Sequence, residues 1–149
     1  MLPTNAPDDL TVNKLPAGRC DDEPRAGRGW LIWASAHGFV SVACGAFGAH
    51  GLRDTLAPRM LENWETAARY QMYHALALGL VAVLLARYPA RSLRAAGWCF
   101  NLGALIFSGS LYALVLSGQT KLGMVTPLGG LSLLAGWALL AYTAIRCFR

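Results

Sequence analysis

Three histidines and four cysteines are the residues of this 149-residue chain best able to hold a metal or move a proton. His37, His50 and His74 would titrate near neutral pH if left unperturbed. Cys20, Cys44, Cys99 and Cys147 fall one per region with no CxxC spacing, which indicates neither a zinc site nor a disulfide framework. Cys44 and Cys99 read instead as small buried apolar residues. A nucleophilic centre would need a Ser–His or Cys–His arrangement of telling spacing, and none is present; HExxH is absent too. The acids after residue 29 are Asp54, Glu62 and Glu65 alone. Neither enzymatic activity nor a cofactor nor a metal is therefore expected.

The remaining polar residues show helical spacing. At about 100° per residue, Ala34, His37, Ser41, Gly45 and Gly48 share an arc of roughly 80°. His37 on that face should point toward protein, where a neutral imidazole needs a partner. His50 points elsewhere, near the end of the same stretch. Asn101, Ala104, Ser108 and Tyr112 form a second stripe within roughly 60°. Such a stripe is expected to make interhelical hydrogen bonds or to line a polar cavity. Glu65 and Arg69 stand in the favourable i, i+4 order for an ion pair. With Tyr70, Gln71 and His74 they read either as interfacial anchors or as a polar site at the mouth of a bundle, with His50 at the same face.

The elements that must carry these residues are apolar and long. Residues 30–52, WLIWASAHGFVSVACGAFGAHGL, contain no Asp, Glu, Lys or Arg. Further apolar runs cover 67–86, 95–116 and 122–146. Each supplies the roughly 20 helical residues that a hydrocarbon core about 30 Å thick demands. Four membrane-spanning helices in an all-α, compact bundle are expected. The connection RDTLAPRMLENWET has Pro58 in its middle, and Leu56, Met60, Leu61 and Trp64 could lay a short amphipathic turn on the membrane surface. Thr126-Pro127 suits a helix start, with Thr126 as N-cap and the helix proper running from Pro127 to about Arg146. Gly129, Ser132, Gly136 and Thr143 then give this last helix a small face.

Composition agrees with a membrane domain: 55% of residues are hydrophobic and 14% charged, against about 25% charged in ordinary soluble domains. The net charge of +5 lies in cations that flank apolar runs, without a basic patch interleaved with aromatics. Anionic lipid headgroups, not nucleic acid, are the expected partner. Residues 1–29 hold five of the eight acids and four of the seven prolines, and are expected to be a disordered polar tail before an uncleaved first span. Nine of the 13 Lys and Arg fall on the side of the two termini and the central connection, which predicts cytoplasmic termini. GAFGAHGL and TPLGGLSLLAG share only glycine richness, so the mark of an inverted-repeat transporter is lacking.

Taken together, GAFGAHGL, the W-xx-A-x-x-YQ-x-YHALAL run, FNLGALIFSGSLYALVLSG and TPLGGLSLLAGWALL resemble the small four-helix membrane-protein family of unknown function typified by the bacterial inner-membrane protein YgdD, which has eukaryotic relatives. The likeness covers about residues 30–146. It implies a four-span inner-membrane protein with no established activity, cofactor or substrate. The positions that match family motifs include Gly45, Gly48, His50, Tyr70, Gln71, His74, Ser108, Tyr112, Thr126, Pro127, Gly129 and Gly130. The acidic, proline-rich tail departs from the family pattern.

Two functions follow as expectations. One is a structural or interaction protein acting through helix packing, with further copies of itself or other membrane proteins as partners. The alternative is a small transporter or channel whose path is lined by His37, His74, Asn101, Ser108 and Tyr112. Against it, no Asp or Glu falls inside any of the four apolar runs, where proton-coupled carriers commonly place a carboxylate.

Overall fold

A computed structural model describes residues 27–147, all of whose long elements are helices. Helix α1 spans Arg28–Phe47 and continues as a π-helical segment, Gly48–Leu52. Helix α2 spans Pro58–Arg87, α3 spans Arg91–Ser117, and α4 spans Thr126–Cys147 after a 3₁₀ turn at Thr120–Met124. All four are long and apolar enough to cross a membrane. At about 1.5 Å per residue α4 exceeds the roughly 30 Å hydrocarbon core, and so does α1 together with its π segment.

Local chemistry sets the ends. Pro58 occupies the first turn of α2, where its missing N–H costs nothing and its φ suits the helix. Tyr88 turns extended ahead of Pro89, as the residue before proline must, and its N–H closes α2 on the Leu84 carbonyl at 2.7 Å. Gly118 stops α3 in the left-handed region, φ 68°, with its N–H 2.9 Å from the Leu114 carbonyl.

Three expectations need correction. The connection after the first span is short, because α2 starts at Pro58 and takes in Met60, Leu61, Glu62, Trp64 and Glu65 as its first turns. Proline here initiates a helix; it does not punctuate a loop. Of the expected disordered tail, residues 1–26 lie outside the described residues, but Gly27 is buried with its backbone against Ala82, and the helix already begins at Arg28. Thr126 is itself helical, and its hydroxyl meets Ser110 Oγ across α3 at 2.8 Å.

Helices α2 and α3 are the inner pair; α1 lies mainly on α2, and α4 mainly on α3. The α3–α4 seam is built on size. Phe100 faces Gly136, Gly103 faces Leu133, and Phe107 faces Gly129, so large meets small at three successive antiparallel levels. At Gly129 a Cβ would stand 2.5 Å from the Phe107 backbone nitrogen, so only glycine lets the two backbones approach this closely. Hydrogen bonds close the seam at both ends, Ser110 to Thr126, and Thr143 Oγ1 to Ser92 Oγ at 2.7 Å.

One apolar cluster, with Leu78, Val81, Leu85, Leu93 and Phe100 fully buried, fills the half of the bundle near the chain ends. A smaller one around Trp64, Leu114 and Val115 fills the half near the first and third connections, here called the loop face. Polar side chains lie between them.

Candidate functional site

Four side chains from three helices join in that middle layer. Tyr112 on α3 donates its O–H to Gln71 Oε1 on α2 at 2.9 Å. Gln71 Nε2 donates to His37 Nδ1 on α1 at 3.3 Å. His37 Nε2 in turn donates to Asn101 Oδ1 on α3 at 3.0 Å. The chain runs in one direction, which requires a neutral imidazole with its proton on Nε2. His37, Gln71 and Asn101 are each at most 6% exposed. Cys44 packs beside Tyr112 at one end.

Two serines bracket this chain and clamp α2 from opposite sides. Ser41 Oγ on α1 donates to the Ala68 carbonyl at 2.7 Å, and Ser108 Oγ on α3 donates to the adjacent Ala67 carbonyl at 2.8 Å. Those carbonyls already belong to the α2 hydrogen-bond ladder, so the serines add bonds without orphaning any. One turn nearer the loop face, Trp64 Nε1 donates to the Cys44 carbonyl at 2.7 Å, close to where α1 winds into its π segment. The indole leaves no space beyond a hydrogen at Gly48: a Cβ would come within 2.6 Å of Trp64 Cδ1.

His74 belongs to a different site. Its Nδ1 donates to the Tyr70 carbonyl on its own helix at 2.8 Å, and its Nε2 accepts from Trp137 Nε1 on α4 at 3.3 Å. This fixes the opposite tautomer from His37. Phe100 packs against both rings, with centroids 5.8 Å from His74 and 5.1 Å from Trp137, and Tyr70 stacks on Phe107 at 4.8 Å. His74 and Trp137 border a groove of about 750 Å³ between α2 and α4, open to the surroundings of the bundle.

The structure thus joins His37, Asn101 and Tyr112 through Gln71, sets Ser108 on the α2 backbone, and turns His74 toward α4. The expected interfacial cluster is dispersed. Gln71 and His74 lie 13 and 16 residues into α2, about 20 to 24 Å from its start, and turn toward α1 and α4 respectively. Glu65 and Arg69 do pair, at 4.0 Å, with both side chains more than half exposed. His50 is exposed on the π segment and, among the described residues, makes no hydrogen bond. Gly45 departs from its expected role as well, since a Cβ there would meet nothing within 4 Å. Gly130 lines the groove, where its Cβ would make ordinary contact with the Phe107 ring at 3.9 Å.

Sequence reasoning placed Trp64 on the membrane surface and Trp137 only within the family-like run of the fourth helix, and gave neither indole its hydrogen bond inside the bundle. The signal for Trp64 was the spacing Trp64, Ala67, Gln71, His74, Leu78, Val81, Leu85, one buried stripe that starts before the apolar run does. Trp137 offered none, because an aromatic on a lipid-spanning helix looks the same whether it faces lipid or protein. No group of three His, Cys, Asp or Glu able to hold a metal occurs among the described residues.

A family model described as "Protein of unknown function (DUF423)" matches residues 44–130. The chain is 43% identical over 117 residues to a UPF0382 membrane protein of Staphylococcus haemolyticus, covering 78% of this chain and 95% of that one. It is 43% identical over 119 residues to the UPF0382 inner membrane protein YgdD of Escherichia coli K12, covering 80% and 91%. To the UPF0382 membrane protein YwdK of Bacillus subtilis it is 37% identical over 118 residues, covering 78% and 96%. No solved structure matches.

Proposed function

This chain belongs to the DUF423 family of membrane proteins of unknown function, and from that membership we propose that it works by packing and association within the bilayer, not by catalysis or transport. The supporting observation is the satisfaction of its polar interior. Among the described residues no buried side-chain nitrogen or oxygen lacks a hydrogen-bond partner. A conduit needs polar groups turned toward passing solute, whereas Tyr112, Gln71, His37 and Asn101 engage one another. Both nitrogens of His37 and of His74 are occupied, in neither case by a serine hydroxyl or a thiol, so neither ring is set as the base of a nucleophile.

The surfaces for association are the outer sides of α1 and α4, whose spans are only 22% buried against 50% for α2. Phe39 and Val42 on α1, with Leu131 and Leu134 on α4, stand exposed there to lipid, to another membrane protein or to a second copy. The reading places the protein in the cell inner membrane, as the name of YgdD does for that relative. Both termini are cytoplasmic in this reading, with nine Lys and Arg on that side against four on the other.

Proteoliposomes test it. Vesicles carrying the protein should hold an imposed pH or potassium gradient as long as protein-free vesicles do. Leakage that rises with protein content and disappears in His37→Gln would overturn the proposal in favour of a carrier. For orientation, an impermeant thiol reagent applied to intact cells should reach a cysteine placed at Asp54 and miss one placed at Arg91; the reverse pattern would invert the topology.

A further inference from the structure

A second cleft of about 510 Å³ lies next to the groove beside His74, on the side of the loop face, and the two share Phe107 and Pro127 in their walls. Polarity changes along the way. The cleft sets Arg59, Asn63 and Thr120 beside apolar Met60, Leu111 and Leu114, with no Asp or Glu in its lining, whereas the groove proper carries no cation and is walled mainly by Phe107, Leu131, Leu134 and Trp137, with His74 and two tyrosines on its α2 side. From Pro127 to Trp137 is ten residues of α4, about 15 Å, which is one leaflet's share of a hydrocarbon core about 30 Å thick.

Arg59 is the cation at the mouth. Among the described residues it has no carboxylate partner, in contrast to Arg69, which pairs with Glu65. We propose that the adjoining cleft and groove between α2 and α4 hold one phospholipid with an anionic headgroup, its phosphate at Arg59 and an acyl chain passing over Phe107 to lie along Gly130 and Trp137. Depth, polarity and charge agree with that occupant. The apolar part lies where acyl chains lie, the polar part lies at a helix-end level where headgroups lie, and the single cation there lacks a counterion from the protein. Gly130 keeps the groove open, since any longer side chain at that position would project into it.

The test uses the full chain in detergent, mixed with equal amounts of phosphatidylglycerol and phosphatidylcholine of identical acyl chains, and counts retained lipid by native mass spectrometry. One phosphatidylglycerol per chain should be retained in preference to phosphatidylcholine, and millimolar inorganic phosphate should not displace it. Arg59→Gln should reduce that preference about fivefold, as expected for one cation near an anionic headgroup. Arg69→Gln, outside the cleft, should leave it unchanged. Gly130→Phe should abolish retention of both lipids. Because Arg59 is exposed, Arg59→Gln keeps the test decisive even if Gly130→Phe does not fold. Equal retention of the two lipids, equal effects of the two arginine variants, displacement by phosphate, or a chain dimer in place of bound lipid would each overturn the proposal.

Discussion

The two sides of the inner helix pair are held by different means. Between α3 and α4 the middle of the contact is one of shape, with Phe100, Leu133 and Phe107 seated on Gly136, Gly103 and Gly129, and hydrogen bonds from Ser110, Ser132 and Thr143 add to it. Where α1 meets α2 and α3, buried hydrogen bonds through Ser41, His37, Gln71 and Asn101 hold the middle, and close packing at Gly27 against Ala82 and of Trp30 on Gly97 holds the end near the termini. Glycines along α1 contribute less: Gly48 admits Trp64, but Gly45 faces open space and Gly38 only touches Ala75 at 4.0 Å. Lipid is as apolar as the helices, so neither seam is driven by the hydrophobic effect between them. A seam of small residues gains from dispersion at close approach. A polar seam gains because its groups have no better partner in hydrocarbon.

The contrast predicts a ranking of substitutions, measured as unfolding free energy in detergent or bicelles. Gly129→Leu should be the most damaging, about 3 kcal/mol or more, because the obstruction is Phe107 backbone and cannot swing aside. A fully folded, unaltered Gly129→Leu protein would show that the α3–α4 seam does not depend on shape.

His37→Leu comes next, at about 2 kcal/mol. It removes two interhelical hydrogen bonds and leaves the Asn101 oxygen and a Gln71 N–H buried without their partner, although such bonds in membranes average well under the values found in water-soluble cores. The double variant His37→Leu with Asn101→Leu should recover part of that loss. If it is as unstable as the two single losses added, the network is not acting as a unit.

His74→Gln should cost less, about 1 kcal/mol. His74 has one bond to its own helix and one to a partly exposed indole, so its loss strands fewer groups. A loss larger than that of His37→Leu would reverse the assignment of the load-carrying histidine. Gly45→Leu should be the mildest, within about 0.5 kcal/mol, since a Cβ there would meet nothing within 4 Å. Should Gly45→Leu instead shift the protein from a larger oligomer to a monomer while each chain stays folded, that side of α1 is a contact between copies.

Much of the candidate site was legible residue by residue. The helical spacing of Asn101, Ser108 and Tyr112, and of His37 with Ser41, placed each set on one face of its own helix, and those faces turn inward. The connection between them was not legible, because Gln71 on a third helix completes it. His74 was grouped with Gln71, three residues away on the same buried stripe, but the roughly 60° between them is enough for one side chain to reach α1 and the other α4.

Hydropathy and helix punctuation are local properties, and they determined that this chain has four membrane-spanning helices, the last of them starting at Thr126-Pro127. Periodicity along single helices likewise identified which polar residues could not face lipid. Only the tertiary structure decided that α2 begins at Pro58, that Trp64 is buried against Gly48 while Gly45 is left open, and that His37 and His74 serve separate sites with opposite tautomers. The physical reason is that lipid and protein interior are both apolar, so composition does not distinguish the inner face of a spanning helix from the outer. That distinction arises when helices set their register against one another, through contacts between residues distant in the chain.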